Sequence, residues 1–429
     1  MRFDSQRLRK LNWLCFAIIV LIAAWSAWWW PLIYDSRHRP TTDNMNDFAL
    51  NLKLANQVCH DQKYSTSFVY PLPAVLFWHA WSALHFTASA VAYLVLLPAS
   101  LAVCLLLSLF LAKGGNRNSY DGLIAAFAFA GANYFALWDM EICNVNSVYL
   151  MLVLLALWCW HKERDTWAGI WLALSVALKI YSIAFLPLLL LRKKWRIAWV
   201  MVAAMLVLFL VVPSLYFGPH DTVALTERWL EVVRSSSRPD YLLSYIAYKV
   251  SLSWTALLLF YRPASDGQSN VADWNINSVA LAVRLVQLAW LFLVALYFLR
   301  FRATQTQAGR ERRAFALDCS VILLLPLPLS PFLQPHQGVV VLLPAVVLAT
   351  AAFDEHISHR SRLAAFFALV ANECLAEFVP HPWRGIMIML TVAIYFAAVW
   401  INRNECQTIR GKNLVNCGGA ESEGKKSSA

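Results

Sequence analysis

The sequence predicts an all-α protein that crosses a membrane many times. Of its 429 residues, 60% are hydrophobic and 14% are charged, whereas a soluble domain is roughly a quarter charged. Apolar stretches long enough to span a bilayer recur along most of the chain. Lys and Arg concentrate in the cytoplasmic loops of such proteins, and this explains the net charge of +11 without a nucleic-acid partner.

The positions of the basic clusters predict a topology with both termini in the cytoplasm. All of the clusters can lie inside if segments 68–84 and 248–261 are interfacial or re-entrant helices on the outer side and if residues 167–191 cross twice. The predicted spans are then twelve: 11–33 (uncleaved), 86–112, 120–138, 141–160, 167–178, 180–191, 197–216, 276–300, 314–333, 338–353, 362–380 and 384–401. They form a single transmembrane domain, residues 1–402, with outer loops 34–85 and 217–275. The polar segment 403–429 is predicted to be a disordered cytoplasmic tail.

The double crossing isolates one lysine in ALKIYSIAFLPLLLLRKKWR, residues 177–196. Each arm of 167–191 holds about 12 residues, or roughly 18 Å of helix, against a hydrocarbon core of about 30 Å. Lys179 would therefore lie at the apex of the pair, below the outer membrane face, where a cation needs water or an anion. We expect a cavity there. The alternative is one long tilted helix in which Lys179 snorkels or pairs with a carboxylate.

The first outer loop contains a second polar group. The stretch MNDFALNLKLANQV, residues 45–58, has apolar residues at helical spacing and predicts a helix lying on the membrane. Asp47 is near its start, and Asn51 lies four residues further on the same face. The stretch TERWLEVVRSSSRPDY, residues 226–241, predicts another amphipathic helix.

Five pieces of the chain resemble one family. They occur in the order NDFALNLKLA (46–55), FVYPLP (68–73), CNVN (143–146), the Lys179 segment and LSPFLQPHQGVVVLLPA (329–345). In this order they resemble the GT-C superfamily of integral-membrane glycosyltransferases, and most closely its bacterial polyprenyl-phosphate-mannose-dependent α-mannosyltransferases. The departures are Cys143 and Asn144 in place of Gly and Gln, Asn51 where Tyr is common, Leu72 in place of Pro, and Gln337 in place of a second His.

The resemblance implies a GT-C-like fold and a hexosyltransferase. Such an enzyme moves one sugar, by default a hexose such as mannose, from a polyprenyl-phosphate-linked donor to an acceptor outside the bacterial cytoplasmic membrane, with inversion. Asp47 stands at the position of the family's catalytic acid and would be the general base, with Asp43 and Asp35 as fallbacks. The alternative for Asp47 is an acidic residue that only stabilises a helix N-terminus.

The resemblance also assigns a donor site. Lys179 and His336 would bind the donor phosphate, and the donor sugar or lipid would contact Asn144, Asn146, Tyr70, Gln334 and Gln337. Without the resemblance, the alternative for His336 and Tyr70 is that they only anchor the chain at the membrane interface. The alternative for the two asparagines is that they only join helices. Three further residues have open roles: Asp139 and Glu141 are secondary acids or solvated turn residues, and Arg284 contacts phosphate or pairs with an acid.

Other classes of site find no support in the sequence. Its nine cysteines are scattered without a CxxC motif, and no convergent set of metal ligands is evident, so we expect no metal and no cofactor. It has no Walker or dinucleotide-binding motif for direct use of a nucleotide sugar. The acceptor is left open among a glycolipid, a polysaccharide and a protein. A transporter or lipid-linked-sugar flippase is the alternative function, because many spans and a buried cation suit that class as well.

Overall fold

The computed structural model describes residues 46–65, 68–113, 121–236, 251–261, 272, 274–301, 311–330, 333–355, 357–378 and 384–423. Within these ranges all regular structure is helical, as predicted. The predicted first span, 11–33, and the fallback acids Asp35 and Asp43 lie outside the described residues.

The first outer loop forms two packed helices, α1 (Asn46–Asp61) and α2 (Leu72–Trp81). The predicted amphipathic stripe of α1 is present, since Phe48 and Ala55 on it are buried. Phe48 packs against Trp78 of α2, with ring centroids 6.0 Å apart. At ten residues, or about 15 Å, α2 is too short to cross a hydrocarbon core of about 30 Å. This agrees with the prediction that segment 68–84 does not cross.

The next three helical segments differ from the prediction at one point. They are the long helix α3 (Phe86–Lys113), a pair α4 (Asp121–Ala130) and α5 (Asn133–Glu141), and α6 (Asn146–His161). Within the predicted span 120–138 the helix is broken, because α4 and α5 meet at a bend of 72°. The carbonyl that the bend exposes, that of Gly131, accepts hydrogen bonds from Asn372 Nδ2 (2.5 Å) and Tyr395 Oη (2.9 Å). These hydrogen bonds from distant residues pair the exposed carbonyl and stabilise the bend.

The chain breaks at Lys179, where the charge argument predicted an apex. Helix α7 (Asp165–Leu178) ends there, and a 3₁₀ turn (Ile180–Ala184) leads into α8 (Phe185–Leu191). Lys179 itself is extended, with φ −146° and ψ 123°, so one continuous tilted helix through residues 167–191 is excluded. Helix α9 (Trp195–Leu206) packs closely on α7. A Cβ added at Gly169 would lie 2.8 Å from Val200, so only glycine fits this contact.

The remaining helices complete the bundle. They are a π-helical turn (Val207–Val211), α10 (Val212–Phe217), α11 (Pro219–Ser236), α12 (Leu252–Phe260), α13 (Ile276–Arg300), α14 (Glu311–Leu324), α15 (Pro326–Leu329), a 3₁₀ helix (Pro335–Val341), α16 (Leu342–Ala352), α17 (His359–Phe378) and α18 (Arg384–Glu423). The last helix extends through residues 403–423, most of the segment that the sequence predicts to be a disordered tail.

The start of that segment belongs to a buried ionic cluster. Asp318 of α14 accepts hydrogen bonds from Arg403 Nε of α18 (3.0 Å), from Tyr297 Oη of α13 (2.8 Å) and from Arg192 after α8. Asp318, Tyr297 and Arg403 are buried. The cluster therefore links α8, α13, α14 and α18, and it places Arg403 in the core.

The predicted number of spans is not confirmed. Four helices of the described residues are long and apolar enough to cross a membrane, and the bent α4–α5 pair makes a fifth. The four are Phe86–Lys113, Trp195–Phe217, Ile276–Arg300 and Ile386–Cys406. Predicted spans 141–160, 167–178, 180–191 and 338–353 correspond to apolar helices of 10–17 residues, whereas a complete crossing takes about 20.

Candidate active site

The site is built on the sharp turn between α5 and α6, which we call the asparagine turn, residues 139–147. Cys143 has a positive φ of 53° there, a conformation that lets the chain reverse within a few residues. Asn144 N–H donates to the Asp139 carbonyl (3.1 Å), and Val145 N–H donates to Asn144 Oδ1 (2.7 Å). The asparagine side chain thus satisfies the backbone of its own turn.

Asp139 anchors this turn from inside the protein. Its carboxylate is fully buried and accepts hydrogen bonds from Asn146 Nδ2 (2.7 Å), Ser147 N–H (2.9 Å) and the Ser147 hydroxyl. Asp139 is therefore not a solvated turn residue. The side chain of Glu141 lies outside the description.

Lys179 meets the asparagine turn from the break after α7. Its ammonium is buried and donates to Asn146 Oδ1, and it lies 5.9 Å from the centroid of the Tyr70 ring. In the part of the chain that the structure describes, no carboxylate forms an ion pair with it. The ammonium is therefore held by an amide oxygen and a π face, and its charge is not neutralised by direct contact.

Asp47 meets the same turn from the first turn of α1. Its N–H donates to the Ile142 carbonyl (3.0 Å), and Asn144 Nδ2 donates to its carboxylate. Tyr70 Oη is 3.5 Å from Asn144 Oδ1. Burial raises the pKa of the Asp47 carboxyl, while the Asn144 amide and the charge of Lys179 oppose that rise. Asp47 and Lys179 are thus linked through two neighbouring asparagines.

The segment around His336 forms a 3₁₀ helix (Pro335–Val341) that packs against α5 and α6, the two helices joined by the asparagine turn. His336 is only 1% exposed, and its Nδ1 finds no hydrogen-bond partner among the described residues. A Cβ at Gly338 would lie 2.4 Å from the Phe135 ring, so the segment packs directly on α5. Gln334 lies immediately before this helix and is half-buried. Its side chain takes no part in the hydrogen bonds of the site.

A small cavity of about 10 Å³, enough for about one water molecule, adjoins the site. Its polar lining includes Asn146, Tyr181, Ser330 and Gln337. The Tyr181 hydroxyl donates to Gln337 Oε1 (3.2 Å) and lies 3.0 Å from Ser330 Oγ. Asn146 therefore faces Lys179 and also borders this polar space.

The structure brings most of the predicted site residues together. Asp47, Asn144, Asn146, Tyr70 and Lys179 form one connected set, with His336 and Gln337 beside it. Arg284 is exposed on α13 and takes no part.

Sequence reasoning left Asp139 open between a secondary acid and a solvated turn residue, and it gave Tyr181 and Ser330 no place in the site. A signal existed for each. Asp139 is a carboxylate within apolar sequence, Tyr181 lies two residues after Lys179, and Ser330 begins the Ser-Pro of the fifth quoted piece.

Comparison with known proteins identifies the family. The profile of glycosyltransferase family 87 matches residues 68–331, more than half of the chain. The chain belongs to glycosyltransferase family 87. This is a GT-C-type family of membrane glycosyltransferases, so the predicted superfamily is confirmed and the mannosyltransferase branch stays a prediction. No curated protein matches the chain.

The matched range includes some parts of the site and excludes others. Tyr70, the asparagine turn and Lys179 lie within residues 68–331, whereas Asp47 and His336 lie outside. The family match therefore gives no support for Asp47 or His336, and Asp47 is joined to the asparagine turn by its hydrogen bonds with Ile142 and Asn144.

Proposed function

We propose that this family 87 glycosyltransferase transfers one sugar, by default a hexose such as mannose, from a polyprenyl-phosphate donor to an acceptor on the outer side of a bacterial cytoplasmic membrane. Asp47 is the general base of an inverting single displacement. One observation supports this above all. A carboxylate and a buried ammonium, on separate parts of the chain, are linked through Asn144 and Asn146 without forming an ion pair.

The carboxylate suits the attack step. An acceptor hydroxyl must lose its proton as its oxygen bonds to the anomeric carbon, and Asp47 Oδ1 or Oδ2 takes that proton. A general base works best when its pKa approaches the operating pH. Burial moves the pKa of Asp47 in that direction. The Asn144 amide keeps the carboxylate oriented while the proton is transferred.

The ammonium suits departure of the leaving group. The bond between the anomeric carbon and the phosphate oxygen breaks, and its electron pair stays on polyprenyl phosphate. A cation held at that oxygen stabilises the developing charge, and loss of one such group costs about 10²–10³-fold in rate. Among the described residues, Lys179 has no carboxylate partner that would have to be displaced first. Buried His336, whose Nδ1 has no partner in the described part of the chain, offers a second contact to the phosphate.

The surroundings favour a lipid-linked donor. The site lies among apolar helices of a membrane protein, where a polyprenyl chain is soluble and a nucleotide is not. The acceptor can be a glycolipid, a polysaccharide or a protein. No metal or cofactor is required by this mechanism, because Lys179 supplies the positive charge.

The test is mass spectrometry of surface glycans and glycolipids from a deletion strain complemented with wild type, Asp47→Asn or Lys179→Ala. We expect wild type to restore one fixed sugar mass and both variants to leave it absent at normal protein levels. Asp61→Asn and Lys53→Ala change exposed residues of the same types on α1 and should restore it. Restoration by both site variants would refute the site. A deletion that changes no glycan mass would favour transport of a lipid-linked sugar.

A further inference from the structure

Helix α1 carries a second buried polar side chain, that of Asn51. Asn51 is 5% exposed, and its Nδ2 finds no hydrogen-bond acceptor among the described residues. Buried polar groups are nearly always paired, so this donor is available to a group that the described residues do not supply. By contrast, Asn56 on the same helix is paired with His79 Nδ1 at 2.6 Å.

The position of Asn51 connects it with the base. It follows Asp47 by four residues on α1, so the two lie on one face, about 6 Å apart along the helix axis. Trp78 Nε1 is also unpaired, but its fully buried ring packs against Phe48, Tyr70 and Tyr93. Asn51 is therefore the unpaired donor on the Asp47 face of α1 in the described structure.

We propose that Asn51 forms part of the acceptor site. Its amide NH₂ donates to a second hydroxyl oxygen of the acceptor, on the same ring as the hydroxyl that Asp47 deprotonates. The inference rests on the proposed role of Asp47. A ring with hydroxyl groups on neighbouring carbons spans the separation of the two side chains, whereas a serine or threonine of a protein offers only one hydroxyl. The acceptor is accordingly a sugar or another polyhydroxylated ring.

The contact also determines specificity. A site built to hydrogen-bond a substrate hydroxyl discriminates strongly against molecules without it, because its own buried group is then left unpaired. In the absence of the acceptor the Asn51 amide is a destabilising feature of the fold. Asn51 should thus favour activity at the expense of stability, and this combination separates a binding residue from a structural one.

Asn51→Leu tests the proposal, because leucine has nearly the same volume but no polar atom. We expect purified Asn51→Leu to melt at or above the temperature of wild type. At matched limiting expression in the deletion strain, it should restore less than a tenth of the sugar mass that wild type restores. Asn56→Leu is the matched control. It loses the hydrogen bond to His79, so it should melt below wild type and restore the full mass.

The outcomes are distinguishable from those for the proposed function. Full restoration by Asn51→Leu overturns the acceptor site, even if Asp47→Asn remains inactive. A melting temperature well below wild type also overturns it, because Asn51 would then have a structural role. Restoration by Asp47→Asn overturns the proposed base. A missing sugar mass found on a protein, and not on a glycan or glycolipid, overturns the predicted acceptor class.

Discussion

Replacement of Asp139 by asparagine tests how the site is oriented. Asp139 only accepts hydrogen bonds, so Asn146 must present its NH₂ to Asp139 and therefore its oxygen to Lys179. In Asp139→Asn one of the two side-chain oxygens becomes a donor. If that donor faces Ser147, the Ser147 N–H loses its acceptor. If it faces Asn146, the Asn146 amide turns over and points its own NH₂ at the Lys179 ammonium.

Either arrangement leaves a buried donor unpaired and removes a charge-assisted hydrogen bond. A hydrogen bond to a charged group contributes about 1.5–3 kcal/mol, and an unpaired buried donor costs about 1–3 kcal/mol. The neutral amide recovers part of this because it is easier to bury than a carboxylate. We expect a loss of about 2–5 kcal/mol in the free energy of unfolding, together with weaker transfer, since Lys179 loses its amide acceptor.

The assay is thermal unfolding of purified Asp139→Asn in detergent, with complementation at equal protein level. Ser147→Ala removes one of the donors to Asp139 but leaves both carboxylate oxygens and the Ser147 N–H. This control should lose only about 1 kcal/mol and should keep its activity. Wild-type melting and wild-type transfer in Asp139→Asn would refute the argument that Asp139 orients Asn146.

Three other changes have definite expected outcomes. Because burial raises the pKa of Asp47, kcat/KM should fall with decreasing pH at a point above the ordinary range of aspartate. By linkage, the folded state is favoured below the ordinary pKa and loses this advantage as pH rises through the raised pKa, so Asp47→Asn should melt higher than wild type at neutral pH. A kcat/KM that does not fall with decreasing pH, or a lower melting temperature for Asp47→Asn, would contradict the raised pKa. Gly169→Ala places a methyl group 2.8 Å from Val200 and should cost about 1–3 kcal/mol; an unchanged melting temperature would show that α7 and α9 tolerate separation. Asp318→Asn leaves Arg403 without its buried counter-charge and should cost about 3–5 kcal/mol, and wild-type stability would show that another group neutralises this arginine.

Local patterns were sufficient to predict two parts of the molecule. The stripe that includes Phe48 and Ala55 predicted α1, because helix periodicity appears directly in the sequence. The break at Lys179 followed from the basic residues on either side of residues 167–191, since each cluster favours the same side of the membrane. Both arguments use residues that are close together along the chain.

Long-range contacts decided what the sequence could not show. The bend at Gly131 depends on Asn372 and Tyr395, which are more than 200 residues away. Arg403 was assigned to a disordered tail because its neighbours are polar, but its partner Asp318 lies 85 residues earlier. The bend at Gly131 and the buried position of Arg403 have the same cause, which is a hydrogen-bond partner from a distant helix.

The hydrogen bonds that hold Lys179 also bear on how the chain is made. A lone lysine in an apolar segment costs about 2.5–3.5 kcal/mol when it leaves the translocon for lipid. The asparagine turn is synthesised before Lys179, and α6, which begins at Asn146, packs directly against α7, which ends at Leu178. An acceptor for the ammonium is therefore already in place as the lysine emerges from the ribosome. Asn146, which accepts a hydrogen bond from Lys179 in the folded protein, would thus also assist membrane insertion during biosynthesis.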